Sequence, residues 1–312
     1  MNKRKILSIG VILIMFTLFF GCTFKEDLKD TNDITVIIDS NISETNEMKE
    51  EYPDFNIPKY SMKYLLEQPF NEPIIQANPQ PFNDFFSVSN WNLQIFGQKK
   101  ASNEELLTYY ASHIDDYDLI FIQEIRNKDQ TAFPKLCENL PDYICVDTER
   151  AGTTSSKEQY GIIYNGQIKV LSITDLAADE YYKYIFERPP VIVKIEYDGE
   201  IFYVVNIHIK PSNAKAEIEA LEKVINELEG DVIILGDLNA DCDYYDTEEE
   251  PEFDDWFWVI PDYEDTTVGN TDCAYDRIIV NNGVKNKYID SGVMREVNSD
   301  QSDHYLVWSK FY

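Results

Sequence analysis

The chain has 312 residues, 44% of them hydrophobic and 13% aromatic, with a formal net charge of -30. That much apolar material excludes a chain disordered throughout and suffices for one large domain or two small ones. So acidic a surface excludes broad electrostatic capture of polyanions, so a nucleic-acid partner would need local basic groups or metal ions.

Residues 1–5, MNKRK, are basic, and residues 6–20 form an apolar run that ends in Gly21 and Cys22. The run is short for a membrane span of about twenty residues. It resembles a bacterial lipoprotein signal with Cys22 as the lipidated residue, although Phe19 and Phe20 stand where that motif prefers Leu and a small residue. The other reading is an uncleaved signal anchor. Both export the chain and hold it at a membrane or cell surface by its N-terminus. Residues 23–80 are rich in Asp, Glu, Asn, Lys and Pro and show little periodicity. They read as an acidic, largely disordered tether, spanning on the order of 40 Å if flexible.

The pattern changes near residue 81, where a single folded domain running to residue 312 is expected. FSVSNWNLQIF reads as a strand, and SNEELLTYYASHI as a helix opened by a Ser102 cap with Glu105 three residues on. Strands follow at DLIFIQEI, YGIIYN, PVIVKIEY and IFYVVNIHI. A second helix, NAKAEIEALEKVINELEG, carries an apolar stripe of Ile218, Leu221, Ile225 and Leu228 and should stop at Gly230. Strands return at VIILGDLN, AYDRIIVN and HYLVWSKF. Strands outnumber helices and no internal repeat is evident, which predicts layered sheets with helices outside.

Several of these strands end in polar residues. Asn90 and Asn92, Gln123 with Glu124 and Arg126, Asn206 with His208, Asp237 with Asn239, Tyr275 with Asp276 and Arg277, and Asp303 with His304 form six such groups. One such group is usually only solvated; six rich in Asp, Glu, Asn and His point to a site. Asp237 and Asn239, two apart, face the same way on an extended chain. Of three histidines, His113 lies on a polar helix, whereas His208 and His304 sit at strand boundaries beside acids or amides. Two such histidines suit general acid–base chemistry near neutral pH.

NWNLQIFG, IQEIR, KEQYG, ERPPVIV, NIHIKPSNAKAEIEAL, GDLNADC, DTTVGNTDCAYDRIIV and SDHY occur in the order found in the endonuclease/exonuclease/phosphatase superfamily. Over roughly residues 83–312 the chain most resembles the deoxyribonuclease I-like branch. The resemblance implies an α/β four-layer sandwich of two central β-sheets flanked by helices, with a cleft at one end. It implies a hydrolase: a divalent-metal-dependent endonuclease that cuts DNA to 5′-phosphate ends. Glu124, with Asn92 and Asp303, would hold Mg²⁺ or Mn²⁺, for which carboxylate and amide oxygens are suited. Glu158 would pair with His208 and Asp276 with His304, one pair activating water and the other protonating the leaving oxygen. Asp237 and Asn239 would point at the scissile phosphate. Arg126, Arg188 and Tyr275 would contact substrate. Cys242 and Cys273 would form a disulfide, and Asp265 and Thr267, with Thr271, a structural Ca²⁺ loop. Four cysteines besides Cys22 in an exported domain suit disulfides generally, and whether Cys137 and Cys145 pair stays open.

The set that grips DNA departs from the branch. Gln94 stands where relatives carry an arginine, Ser156 where they insert a tyrosine into the minor groove, and Gln159 where they carry a basic residue. Residues 175–184 lack the relatives' second cysteine pair, and Gly269 has no side-chain ligand. A phosphodiesterase or phosphatase acting on lipid headgroups or other phosphoesters is therefore the alternative, with a non-catalytic binding protein behind it. No obligate protein partner is predicted, and the chain is expected to be a monomer.

Overall fold

The computed structural model describes Leu66, residues 74–80, 83–153 and 156–312. The signal segment, Cys22 and most of the tether lie outside the described residues. Every described residue belongs to one compact unit, Phe55–Tyr312. Among the described residues no helix is long and apolar enough to cross a membrane.

Among the described residues twelve strands form two six-stranded sheets. The first contains β1 (Phe86–Phe96), β2 (Leu119–Ile125), β3 (Ile144–Asp147), β4 (Gln159–Tyr164), β11 (Tyr288–Met294) and β12 (Leu306–Phe311), in the order β11-β12-β1-β2-β4-β3. The second contains β5 (Lys169–Asp175), β6 (Val191–Tyr197), β7 (Glu200–Asn206), β8 (Asp231–Asp237), β9 (Phe257–Trp258) and β10 (Asp276–Val280), in the order β5-β6-β7-β8-β10-β9. The pairs β1–β2 and β7–β8 are parallel and the other pairs antiparallel.

Three apolar cores make the four layers. Phe86, Val88, Phe121 and Ile162 of the first sheet meet Val193, Val204, Ile233 and Ile278 of the second. The outer face of the first sheet packs on helices α1 (Gln98–Ala101), α2 (Glu104–Ile114) and α3 (Ala132–Cys137) through Trp91, Ile122, Tyr110 and Phe133. The outer face of the second packs on α4 (Glu180–Ile185) and α5 (Ala214–Ile225) through Val205, Ile234, Tyr182 and Leu221. A short α6 (Asn282–Lys285) follows β10. The α/β four-layer sandwich expected from the resemblance is present.

Some local expectations shift. Helix α2 is capped by Asn103, whose side chain accepts from Leu106 N, not by Ser102. Ser102 instead closes α1, its hydroxyl donating to Gln98 O. Helix α5 ends at Ile225, capped by Asn226, five residues before Gly230, although Leu228 is still buried. Residues 74–80, assigned by composition to the tether, run against the domain. Gln76 Nε2 donates to Val170 O at 2.7 Å and the Tyr164 hydroxyl to Ile75 O at 2.6 Å. Cys242–Cys273 and Cys137–Cys145 are both disulfides.

The strand period explains where polar residues gather. Side chains two apart share a face. On the face between the sheets, Phe86 and Val88 are followed by Asn90 and Asn92. Leu119 and Phe121 are followed by Gln123, Val204 by Asn206, and Ile233 and Leu235 by Asp237. Ile278 and Val280 are preceded by Asp276, and Tyr160 and Ile162 by Glu158. The inter-sheet core turns polar along one edge of both sheets.

Candidate active site

The floor of that edge is a buried amide network. Asn206 Nδ2 donates to Asn90 Oδ1 at 2.8 Å, and Asn90 Nδ2 reaches Gln123 Oε1 at 3.3 Å and Asp276 Oδ1 at 3.4 Å. Gln123 ties the sheets together, donating to Ile207 O at 2.7 Å and accepting from Asp237 N at 3.0 Å. Asn90, Gln123 and Asn206 have no exposed surface. They stand among the polar strand ends in the sequence, which gives no sign that they hold neighbours in place.

Asp237 ends β8 at the centre. Ile209 N donates to Asp237 O at 2.9 Å, which holds His208 alongside. Gly236, at φ +153°, permits this approach, because a Cβ there would lie 1.9 Å from Ile207 O. His208 Nε2 lies 3.3 Å and His304 Nε2 3.6 Å from the same atom, Asp237 Oδ2. Each ring's far nitrogen meets a carboxylate: His208 Nδ1 lies 2.5 Å from Glu158 Oε1, and His304 Nδ1 2.6 Å from Asp276 Oδ2. His304 is set in place where residue 304 bridges Thr267 and where Trp91 Nε1 donates to His304 O.

Charge follows geometry. Burial works against an ionised Glu158, but His208, then Arg188 and Arg126, hold its pKa down at about 2. Burial raises Asp276 to about 6 against the pull of His304. Burial would lower His304, yet Asp276, Asp237 and Asp303 raise it to about 10.

Glu124 adopts φ +60° at the end of β2, a left-handed backbone that breaks the strand alternation. It accepts from Ile95 N at 2.8 Å, and Asn92 Nδ2 lies 3.4 Å from Glu124 Oε1 and 3.0 Å from Asp237 Oδ2. Asn92 thus bridges two carboxylates. Among the described residues, Glu124 with Glu158 and His208, and Asp237 with Asp276 and His304, have ligand atoms close enough to share an ion. These oxygen-rich sets fit a hard divalent cation. Asp303 lies on the rim, about half exposed, its Oδ2 accepting from Gln94 Nε2 at 2.8 Å. Asn239, at φ +48°, faces inward and donates from Nδ2 to Ile209 O at 3.0 Å.

The two arginines serve the acids as well as any substrate. Arg126 lies 3.2 Å from Glu124 and 3.3 Å from Glu158, and Arg188 3.1 Å from Glu158. Arg188 is nearly buried and also donates to His208 O at 2.8 Å. Tyr275 borders Asp276 on the rim.

At Asp265 and Thr267, where Ca²⁺ is expected, an arginine lies beside the acids. Thr267 N and Oγ1 donate to Asp265 Oδ1 at 2.9 and 2.8 Å, and Thr267 Oγ1 also lies 2.8 Å from Thr271 O. Water would have to supply most of the six to eight oxygens that Ca²⁺ takes. Arg295 already supplies the positive charge, 3.0 Å from Glu264 and 3.7 Å from Asp265.

Two His–carboxylate pairs facing a central Asp, with acids for a divalent ion, at one edge of a four-layer sandwich, define a phosphoester hydrolase. The chain belongs to the Endonuclease/Exonuclease/phosphatase family, which it matches over residues 89–304. It is 34% identical over 253 residues to Deoxyribonuclease-1 of Gallus gallus, covering 70% of this chain and 90% of that one. To Deoxyribonuclease-1 of Homo sapiens it is also 34% identical, over 62% of this chain and 76% of that one. Solved structures share the fold at low identity. An endonuclease/exonuclease/phosphatase from Bacteroides vulgatus matches with TM-score 0.54 and 17% identity, over 74% of this chain and 99% of that one. Humanized D. rerio TDP2 matches with TM-score 0.55 and 16% identity, over 74% and 100%.

Proposed function

We propose that the chain is a metal-dependent endodeoxyribonuclease that leaves 5′-phosphate ends, exported and held at a membrane through lipid on Cys22. The observation that carries the reading is the convergence of His208 and His304 on Asp237 Oδ2, at 3.3 and 3.6 Å. Glu158 and Asp276 accept hydrogen bonds from the Nδ1–H groups, which fixes both tautomers and turns both Nε2 atoms toward the phosphate. One imidazole then accepts a proton from the attacking water, and the other gives one to the leaving 3′ oxygen. Asn239 and Asp237 orient the phosphate and the water. Glu124 would hold Mg²⁺ or Mn²⁺, with the Asn92 amide steadying its carboxylate, and the ion when bound would neutralise charge on the phosphate. Arg126, Arg188 and Tyr275 hold the nucleic acid on either side.

Residues 74–80 join the domain near Tyr164 and Val170, at the end of β4 away from Glu158. The test offers the purified chain duplex DNA, single-stranded DNA, RNA and sphingomyelin in parallel, with Mg²⁺ and with EDTA. DNA cut to 5′-phosphate ends, with turnover abolished by EDTA, is the expected result. Turnover of sphingomyelin alone would replace this reading with the lipid one.

A further inference from the structure

Beside the site Tyr275 packs against a second tyrosine, Tyr244, to which the proposed chemistry gives no part. The rings of Tyr244 and Tyr275 lie 5.5 Å apart, tilted by 37°. Tyr244 is 40% exposed. The pair is built rather than incidental. Cys242 and Cys273 each precede one of the tyrosines by two residues, and their disulfide joins the two segments. Asp241 Oδ2 accepts from Ala274 N at 2.6 Å, and Tyr244 N donates to Asp241 O at 3.2 Å. Tyr275 O in turn accepts from Leu238 N at 2.9 Å, between Asp237 and Asn239. The pair is therefore fixed to the segment that aims Asp237 at the phosphate.

Asp237, Asp241 and Asp243 are all close enough to act on the Tyr275 hydroxyl. Asp241 and Asp243 precede Tyr244 in its segment, so the pair offers a nucleic acid a ring face and no cation. Resting on the nuclease reading, we infer that Tyr244, with Tyr275, is a stacking shelf for an unpaired nucleobase next to the scissile phosphate. Stacking is indifferent to sequence and needs no cationic groove, which suits a chain of net charge -30. A base must leave its duplex to stack, so the shelf biases the enzyme toward single strands and frayed ends.

The test measures steady-state cleavage of single-stranded and duplex oligonucleotides by wild type, Tyr244→Ala and Tyr244→Phe, with melting temperatures, across a salt series. Loss of one stacked base corresponds to roughly a tenfold rise in KM on single strands. Tyr244→Ala should show that rise, with a smaller one on duplex and the salt slope of KM unchanged, because no phosphate contact is lost. Tyr244→Phe, which keeps the ring, should stay within about twofold of wild type on the same stacking scale. An unchanged KM in Tyr244→Ala, a steeper or flatter salt slope, or a loss shared by Tyr244→Phe would overturn the shelf while leaving the nuclease reading intact. A wild type that hydrolyses methyl p-nitrophenyl phosphate but neither DNA form would overturn both.

Discussion

His304 Nδ1 lies 2.6 Å from Asp276 Oδ2, on a carboxylate with no exposed surface. The pair ties β10 to the segment before β12 and makes stability depend on pH. The folded pKa of His304 is raised to about 10 from an ordinary 6.5. Its contribution is therefore fully present below pH 6.5 and is lost as pH climbs through about 10. Wild type in EDTA should lose melting temperature steadily across that window. His304→Gln, which can still donate one hydrogen bond to Asp276, should start lower and lose less over the same range. Parallel curves for the two proteins would show that the pair does not carry the pH dependence.

Each histidine has its own acid, so each should be needed separately. General acid–base groups contribute about 10²- to 10⁴-fold. His208→Ala and His304→Ala should each lower kcat by about that factor. The double variant should fall short of the product, because groups that act as a unit are non-additive. Near-normal turnover in either single variant removes that histidine from the mechanism. Melting curves run alongside separate lost chemistry from lost folding.

Grip on duplex DNA should be weak and improvable. Gln94 stands at the rim beside Asp303, and Ser156 lies exposed before Glu158. Both Arg126 and Arg188 are already ion-paired with site carboxylates. Gln94→Arg with Ser156→Tyr should lower KM for duplex DNA and steepen its salt dependence by about one unit of slope for the added phosphate contact. An unchanged KM would mean the cleft holds duplex through other groups.

Much of the site is legible in the sequence. The apolar strands that end in Asn90, Gln123, Asn206 and Asp237 follow a two-residue period, and a period survives in sequence. The pairing of Glu158 with His208 was carried by the family motifs alone, since the two lie fifty residues apart. The role of Gln123 was not legible, because a buried amide that joins two sheets looks in sequence like any polar strand end. Strands β3, β5, β9 and β11 are not legible in the sequence for a related reason. Most of their residues are only partly buried, so alternation is weak. The early stop of α5 was masked by Leu228, which stays on the apolar stripe although it follows the helix.

Arg295 bears on the calcium expectation. Its guanidinium pairs with Glu264 and Asp265 and lies 5.5 Å from the Tyr305 ring centre, where Ca²⁺ would otherwise supply charge. Wild type should show little change in melting temperature when millimolar Ca²⁺ is added after EDTA treatment. Arg295→Gln should melt lower and recover in part with Ca²⁺. A rise of several degrees in wild type would mean that the loop takes calcium despite the arginine.

The two disulfides should differ in what they protect. Cys242–Cys273 closes a separation of 31 residues and Cys137–Cys145 one of 8. On chain entropy the longer loop contributes roughly 3–4 kcal/mol and the shorter roughly 2–3 kcal/mol. Both paired Cys→Ser variants should therefore melt lower, the first by more. Function should separate them further. Cys273 lies three residues before Asp276, and Cys242 three residues after Asn239, so loosening that bridge disturbs both site segments. Cys137 ends α3 and Cys145 sits on β3, at the edge of the first sheet and away from the histidines. At a temperature where both variants remain folded, Cys242→Ser/Cys273→Ser should lose turnover, whereas Cys137→Ser/Cys145→Ser should keep most of it. Equal losses of activity would mean that the longer bridge stabilises the chain without positioning the site.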